Sequence, residues 1–293
     1  MLSAKQRVGK KSPWRNVKGN LILVLCFAGI ILALLSLAAL LFDVFQEGLP
    51  WLDIQFLTSY ASYRPEQAGI LAAFFGSIWV VLLTAAISFP LGVGAALYLE
   101  EYAPTNYFTS FIRLNISNLA GVPSIVYGIL GLALFVEALS LGRSVLSGAL
   151  TLSLLILPVI IIVSQEAIRS VPNADREGAY ALGATKWQVT RDVVIPQAFP
   201  GMLTGTILAL SRAIGEAAPM IAIAALVYIP FTPTGPLDRF TVLPIQIYNW
   251  INQPQSEFRA LAAAGIIVLI IVLLSINSLA IFIRNRYQKR GRR

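Results

Sequence analysis

Histidine is absent from this 293-residue chain, and cysteine occurs once, at Cys26. The first absence removes the commonest general acid/base and metal ligand. The second excludes a disulfide or a cysteine-based metal site within one chain. Charge is scarce as well. Asp, Glu, Lys and Arg make up 12% of the residues, where a soluble domain carries about a quarter. The 14 acids are scattered, and only Glu100 and Glu101 are adjacent. Those two lie at the end of an apolar stretch, which fits a membrane boundary better than a metal site. No segment reads G-x-x-x-x-G-K-[ST], so the chain has no such loop to cradle ATP. Gly9-Lys10-Lys11 sits in a basic tail and lacks the upstream glycine.

Apolar residues are what the chain has in quantity, at 57%. Six stretches, near Leu21–Phe42, Ala68–Leu99, Ile116–Val136, Val145–Gln165, Gly201–Ile229 and Ala260–Ile283, are long enough for helices that cross a bilayer, which takes roughly 20 residues. Within hydrocarbon every backbone amide must be paired internally, so only helices and closed barrels span it. Continuous apolar runs rather than period-two alternation select helices. The reading is an all-α integral membrane protein with six transmembrane helices.

The net charge of +8 suggests nucleic acid until its placement is considered. Residues 1–20 and 284–293 each carry six Lys/Arg and no acid, so the remainder of the chain has a net charge of −4. Basic flanks of membrane helices mark the cytoplasmic side. Six crossings put both tails there, together with the loops at 100–115 and 166–200. The loops at 43–67, 137–144 and 230–259 are then external. This orientation leaves 17 Lys/Arg inside and four outside (Arg64, Arg143, Arg239 and Arg259), with Arg212 inside a span. A membrane surface, not nucleic acid, is the expected partner of the tails. The first stretch has 22 uncharged residues, followed by Asp43 and Glu47 rather than an A-x-A site. It reads as a retained anchor, not a cleaved signal peptide.

Helix-breaking residues are unevenly spread. The first span has no polar residue beyond Ser36 and is expected at the periphery, facing lipid. The second contains Pro90, Gly92 and Gly94, which suit either close packing or a hinge. In NLAGVPSIVYGILGL, residues 118–132, Pro123 stands between Gly121 and Ser124. Broken stretches of this kind line pathways in transporters, though packing alone also explains them. The external loops are rich in Trp, Tyr and Pro, as interface anchors or as a docking platform for an external protein.

The polar interruption at 166–200 specifies two short helices. Pro172 suits a first helical turn, and Gly183 suits a left-handed stop. Thr185 and Gln188 form a potential capping box, and Pro196 is expected to end the second helix. Its stretch Glu177–Pro196, EGAYALGATKWQVTRDVVIP, sets Glu-Gly-Ala, three residues, Gly183, nine residues, then Val-Val-Ile-Pro. This resembles the EAA loop of ABC importer permeases, Glu-Ala-Ala, three residues, Gly, nine residues, Ile-x-Leu-Pro. Gly178, Val193 and Ile195 are the departures. The resemblance implies that a separate ATPase grips this loop, with Glu177, Gly178, Ala179, Gly183 and Pro196 as the coupling residues.

Arg212 and Glu216 stand in LSRAIGEAAPMIAIAALVYIP, four apart in an apolar stretch, where one helix face would carry both. Pro219 is expected to kink the span at Gly215. Either the arginine meets an anion in a pathway, with Glu216 setting its position, or the two form a structural pair. SRAIGEAAP, together with AGVPSIVYGILGL and FPLGVGAALYLEEY, is similar to PstA-type permeases of phosphate-specific importers over roughly residues 68–284. That resemblance implies a MetI-like, type I ABC importer permease fold in the bacterial cytoplasmic membrane. It also implies a second, PstC-like permease, a dimer of ATP-binding subunits, an external phosphate-binding protein, and transport roles for Arg212 and Glu216. No cofactor is expected on this chain, ATP being used by the partner. The expected organisation is a tail at 1–20, a first helix and outer loop at 21–67, a five-helix core at 68–284 and a tail at 285–293. Other readings are another cargo (sulfate, molybdate or a cation), a membrane enzyme acting on lipid phosphates, and a passive channel.

Overall fold

The computed structural model describes residues 13–224 and 228–290; parts of both basic tails, 1–12 and 291–293, lie outside the described residues. The described residues form helices joined by turns and one isolated bridge, Ser144 to Arg239. Helix α1 is Pro13–Gly48, α2 Ile54–Thr58 and α3 Leu71–Leu97, which continues as a π-turn over Tyr98–Tyr102. Helix α4 is Tyr107–Leu119, and α5 is Ser124–Gly131, extended by a π-segment to Ala138. Then come α6 Val145–Arg169, α7 Asn173–Ala181, α8 Lys186–Val189, a π-turn at Thr190–Val194 and α9 Ile195–Ile214. Helices α10 Ala218–Ala224, α11 Leu243–Ile251 and α12 Glu257–Arg290 complete the chain.

Five helical runs are long and apolar enough to cross a membrane, and a sixth if the bent α4–α5 pair is one crossing. The starts are set locally. Asn106 accepts the amide of Thr109 at 2.8 Å, and Ser144 accepts that of Ser147 at 3.3 Å, each satisfying an amide that the first helical turn leaves free. Helix α6 is buried along most of its length and packs between α3 and α9. Helix α1 lies along α12, and its apolar side chains, such as Leu32 and Leu35, remain exposed, as a lipid-facing helix requires. Three apolar cores follow one another along the bundle. One gathers Phe56, Leu243 and Trp250 at one end, the next Leu152, Ile160 and Ile223 in the middle, and the last Leu99, Ile168 and Met202 at the other.

Two expected spans are redrawn. The stretch 116–136 is broken beside Pro123, as its sequence suggested, and extends over two helices, α4 and α5, that meet at 101°. Pro123 begins the second piece because its ring fixes φ and it has no amide for a continued ladder. The stretch 201–229 is displaced and divided. Its helix starts at Lys186, runs unbroken to Ile214, stops at Gly215 and resumes at Ala218.

Candidate functional site

The polar loop after α6 is built from its own sequence. Helix α7 ends at Gly183, whose φ of +82° lies in the left-handed region. The amides of Gly183 and Ala184 return to the carbonyls of Tyr180 and Ala179 at 2.9 and 3.1 Å. The capping box forms, with Gln188 accepting the Thr185 amide at 2.7 Å and Thr185 accepting that of Gln188 at 3.4 Å. Pro196 does not end the second helix. The Thr190–Val194 π-turn precedes it, and Pro196 occupies the first turn of α9. The wider turn gives the ring room and leaves no need for its missing N–H. Lys186 to Ile214 is therefore one helix of 29 residues, about 43 Å long.

Within this loop Arg176 and Ala179 turn toward the bundle, and Ala179 packs on the Ile168–Met202 core. Glu177, Gly178 and Gly183 face outward, and no side chain of the described residues pairs with the Glu177 carboxylate. Pro196 is also exposed. Beside them lie Tyr180, Leu182 and Trp187, with Leu182 91% exposed. Large apolar side chains grouped on a polar loop mark an interaction surface. Spacing alone did not single these three out; the signal was their presence in the least apolar segment between two spans.

The acids at the end of α3 are spent on arginines. Glu100 pairs with Arg113 of α4 and with Arg169 of α6, the latter at 2.8 Å, and Glu101 pairs with Arg176 at 2.7 Å. Among the described residues no cluster of three His, Cys, Asp or Glu is arranged to hold a metal ion.

Arg212 and Glu216 approach to 3.4 Å, Nε to Oε1. They do not share a helix face, because Glu216 stands in the break between α9 and α10. Gly215 closes α9, and the Glu216 amide bonds the Ala213 carbonyl in a tight turn. Pro219 divides the span where a kink was expected. The depth of the pair follows from packing. A Cβ on Gly205 would fall 1.9 Å from the Val163 side chain, and Arg212 shares a cavity of about 20 Å³ with Leu155, Ile156 and Val159. Arg212 is thus level with the middle of α6. Its side chain is nonetheless 66% exposed, against 18% for Glu216.

Two broken helices cross beside the pair. The α4–α5 elbow supplies Leu119, Ala120, Val122 and Tyr127 to the Arg212 cavity, and the Tyr127 hydroxyl donates to the Leu119 carbonyl at 2.8 Å. At the crossing itself a Cβ on Gly128 would lie 2.7 Å from the Pro219 backbone, so only glycine permits this approach. Both ladders are interrupted at mid-bundle, where irregular backbone is tolerated only against protein or a watery cavity.

A bundle with interrupted helices around a mid-depth charge pair, and a polar loop on the same rod, has the architecture of a polytopic transport permease. Residues 88–293 match the model for the binding-protein-dependent transport system inner membrane component, and the chain belongs to that family. A probable ABC transporter permease protein of Bacillus subtilis, YqgI, is 38% identical over 82% of this chain and 87% of its own length. The phosphate transport system permease protein PstA of Haemophilus influenzae is 32% identical over 90% of this chain and 93% of its own. The resemblance seen in SRAIGEAAP and its companion motifs is borne out by such relatives. Among solved structures, a bacterial ABC transporter involved in import of the acidic polysaccharide alginate covers 94% of this chain and 99% of its own, with a TM-score of 0.65 at 17% identity. That likeness shows the MetI-like permease fold.

Proposed function

We propose that the chain is the permease subunit of an ATP-driven importer of inorganic phosphate, in the bacterial cytoplasmic membrane with both termini cytoplasmic. The observation that carries this reading is Arg212, level with the middle of a membrane span yet two-thirds exposed on the isolated chain. An arginine at that depth costs roughly 2.5–3.5 kcal/mol on insertion scales, so it faces water or protein and not lipid. A second, homologous permease covers that side and encloses the route. The guanidinium offers phosphate a bidentate fork. Glu216, at 3.4 Å, weakens the trap enough for release.

Drive comes from the other end of the same helix. The exposed group of Glu177, Tyr180, Leu182 and Trp187 receives a dimer of ATP-binding subunits, and the rigid Lys186–Ile214 helix carries their motion to Arg212. Ala179 acts from beneath, by seating α7 on the bundle. The loops at the opposite end meet the external phosphate-binding protein. Such a ligand shifts the equilibrium between inward and outward forms only by binding one better than the other. The chain itself is non-catalytic and holds no cofactor. Radiolabelled phosphate uptake tests this reading. Glu177→Lys and Arg212→Ala are each expected to reduce uptake at least ~30-fold, the effect of losing a buried or interfacial charged contact. Normal uptake by both overturns it. The fork suits any tetrahedral oxyanion, so competition by sulfate and molybdate against phosphate in the reconstituted complex fixes the cargo.

A further inference from the structure

The contacts from the loop to the spans converge on one turn. Arg176 of α7 donates one guanidinium nitrogen to Glu101 at 2.7 Å and the other to the Ile168 carbonyl of α6 at 2.7 Å. The Tyr102 hydroxyl lies 3.3 Å from that of Thr190, and the Lys186 ammonium sits 5.2 Å from the centre of the Tyr102 ring. Next to them, Glu100 holds Arg113 of α4 and Arg169 of α6. The turn Tyr98–Tyr102 at the end of α3 therefore receives a side chain from α4, α6, α7 and α8. Within this knot the Arg176–Glu101 pair is the drier: Glu101 is 6% and Arg176 19% exposed, against 57% for Arg169. The Nε of Arg176 is buried without a partner, so water does not reach the inner edge of the guanidinium. By contrast, Asp175 and Gln197, which also tie α7 to α9, meet in an exposed position.

We propose that Arg176 and Glu101 are a positioning pair that transmits the loop's motion into α3 and α6. Helix α9 moves with the loop because α8 and α9 are one helix. Helix α6 joins α7 only through the short Ser170–Pro172 link and α3 has no direct chain link to it, so the ion pair supplies the mechanical tie. A push on α7 then moves three packed spans together rather than swinging the loop about Gly183. A charge pair suits this role because it resists both separation and rotation once its carboxylate is desolvated. The inference rests on the reading that the loop receives a motor subunit, and it names the residues behind the docking face rather than on it.

The test uses the complete reconstituted transporter in liposomes, with its ATPase, sister permease and binding protein, and reads phosphate taken up per ATP hydrolysed. Glu101→Gln and Arg176→Gln are each expected to lower that ratio ~10-fold or more while the ATPase stays bound and hydrolysing, and Glu101→Arg combined with Arg176→Glu to recover most of it. An unchanged ratio in the single variants overturns the proposal, as does a swap that leaves the ratio low. If the single variants fail to assemble, Glu101→Cys/Arg176→Cys on a Cys26→Ser background decides. A reducible bifunctional thiol linker joining the two positions is expected to raise the ratio, and its reduction to lower it again. No response to the linker overturns the proposal. Glu177→Lys separates the two levels: if it leaves ATPase binding intact, the docking reading fails, whereas an intact ratio in Glu101→Gln with Glu177→Lys inactive sinks only the positioning pair.

Discussion

The two ends of the bundle are held by different kinds of bond. At the loop end, α3, α4, α6 and α7 are joined by arginine–glutamate pairs around the Tyr98–Tyr102 turn. At the opposite end, among the described residues, no ion pair joins elements, and the ties are hydrogen bonds to backbone groups and close packing. The Val145 and Leu146 amides bond the carbonyls of Asp238 and Pro236 at 3.0 and 2.8 Å, and Ser144 bridges to Arg239. Phe56 packs on Trp250 with ring centres 5.8 Å apart. Backbone bonds are short-ranged and survive most side-chain changes; charge pairs act at longer range but fail completely when one partner is lost. On the proposed reading, the loop end is thus held by charge pairs that resist separation as it takes up force, and the opposite end by bonds that keep its loops in place.

The largest expected break in that contrast is Glu101→Gln. Losing one partner of a fully buried pair costs about 3–5 kcal/mol, mostly because the other charge is stranded, and this part-buried pair is expected to lose somewhat less. Hydrogen exchange measured by mass spectrometry is expected to rise across residues 173–194 and to stay unchanged across 234–251. Uniform acceleration across both ends would show that the bundle responds as one unit and that the two ends are not separately fastened.

Ser77→Ala sharpens the same contrast from the other side. The Ser77 hydroxyl accepts the Leu243 amide at 2.9 Å, both groups being buried, and is a side-chain tie that α3 makes to the start of α11. Stranding a buried amide costs about 1–3 kcal/mol. Exchange is expected to rise at Leu243–Trp250 and not in the loop, with phosphate uptake per ATP preserved. A fall in that ratio equal to that of Glu101→Gln would erase the distinction between a coupling end and a framing end.

How much of this was legible in the sequence depended on the range of the interaction. The apolar runs announced the spans, and the loop announced itself through local chemistry: Gly183 takes its positive φ and Thr185 and Gln188 cap each other across three residues. Pro196 does not stop the helix because a proline's effect is set by the turn before it, and the π-turn at Thr190–Val194 packs on Tyr102, nearly 90 residues upstream. Glu216 leaves the helix face for a related reason. Helical spacing from Arg212 assumes an unbroken ladder, and the close crossing of Gly128 with Pro219 rewards breaking it. Arg176 and Glu101 lie 75 positions apart, so only the packing of α3 against α6 could bring them together.

The smallest expected effect concerns pH at the framing end. The Asp238 carboxylate accepts the Thr234 and Gly235 amides, each at 2.8 Å, and the Thr234 hydroxyl at 3.0 Å. The two amides, then the hydroxyl, hold its pKa below the ordinary aspartate value. A depressed folded pKa gives stability that is fully present above the unfolded value of about 3.9 and is lost as pH falls through the still lower folded value. Between pH 7 and 5 the Thr234–Asp238 turn is therefore expected to hold, and to loosen only below about pH 4. Because the carboxylate's partners all lie within its own turn, the change stays local to that turn and to the Val145 amide that bonds the Asp238 carbonyl. Hydrogen exchange at Thr234 and Gly235, corrected for the intrinsic pH dependence, checks it, and Asp238→Asn is expected to abolish the acid response. Loosening that already begins near pH 6 would mean that another group governs this end.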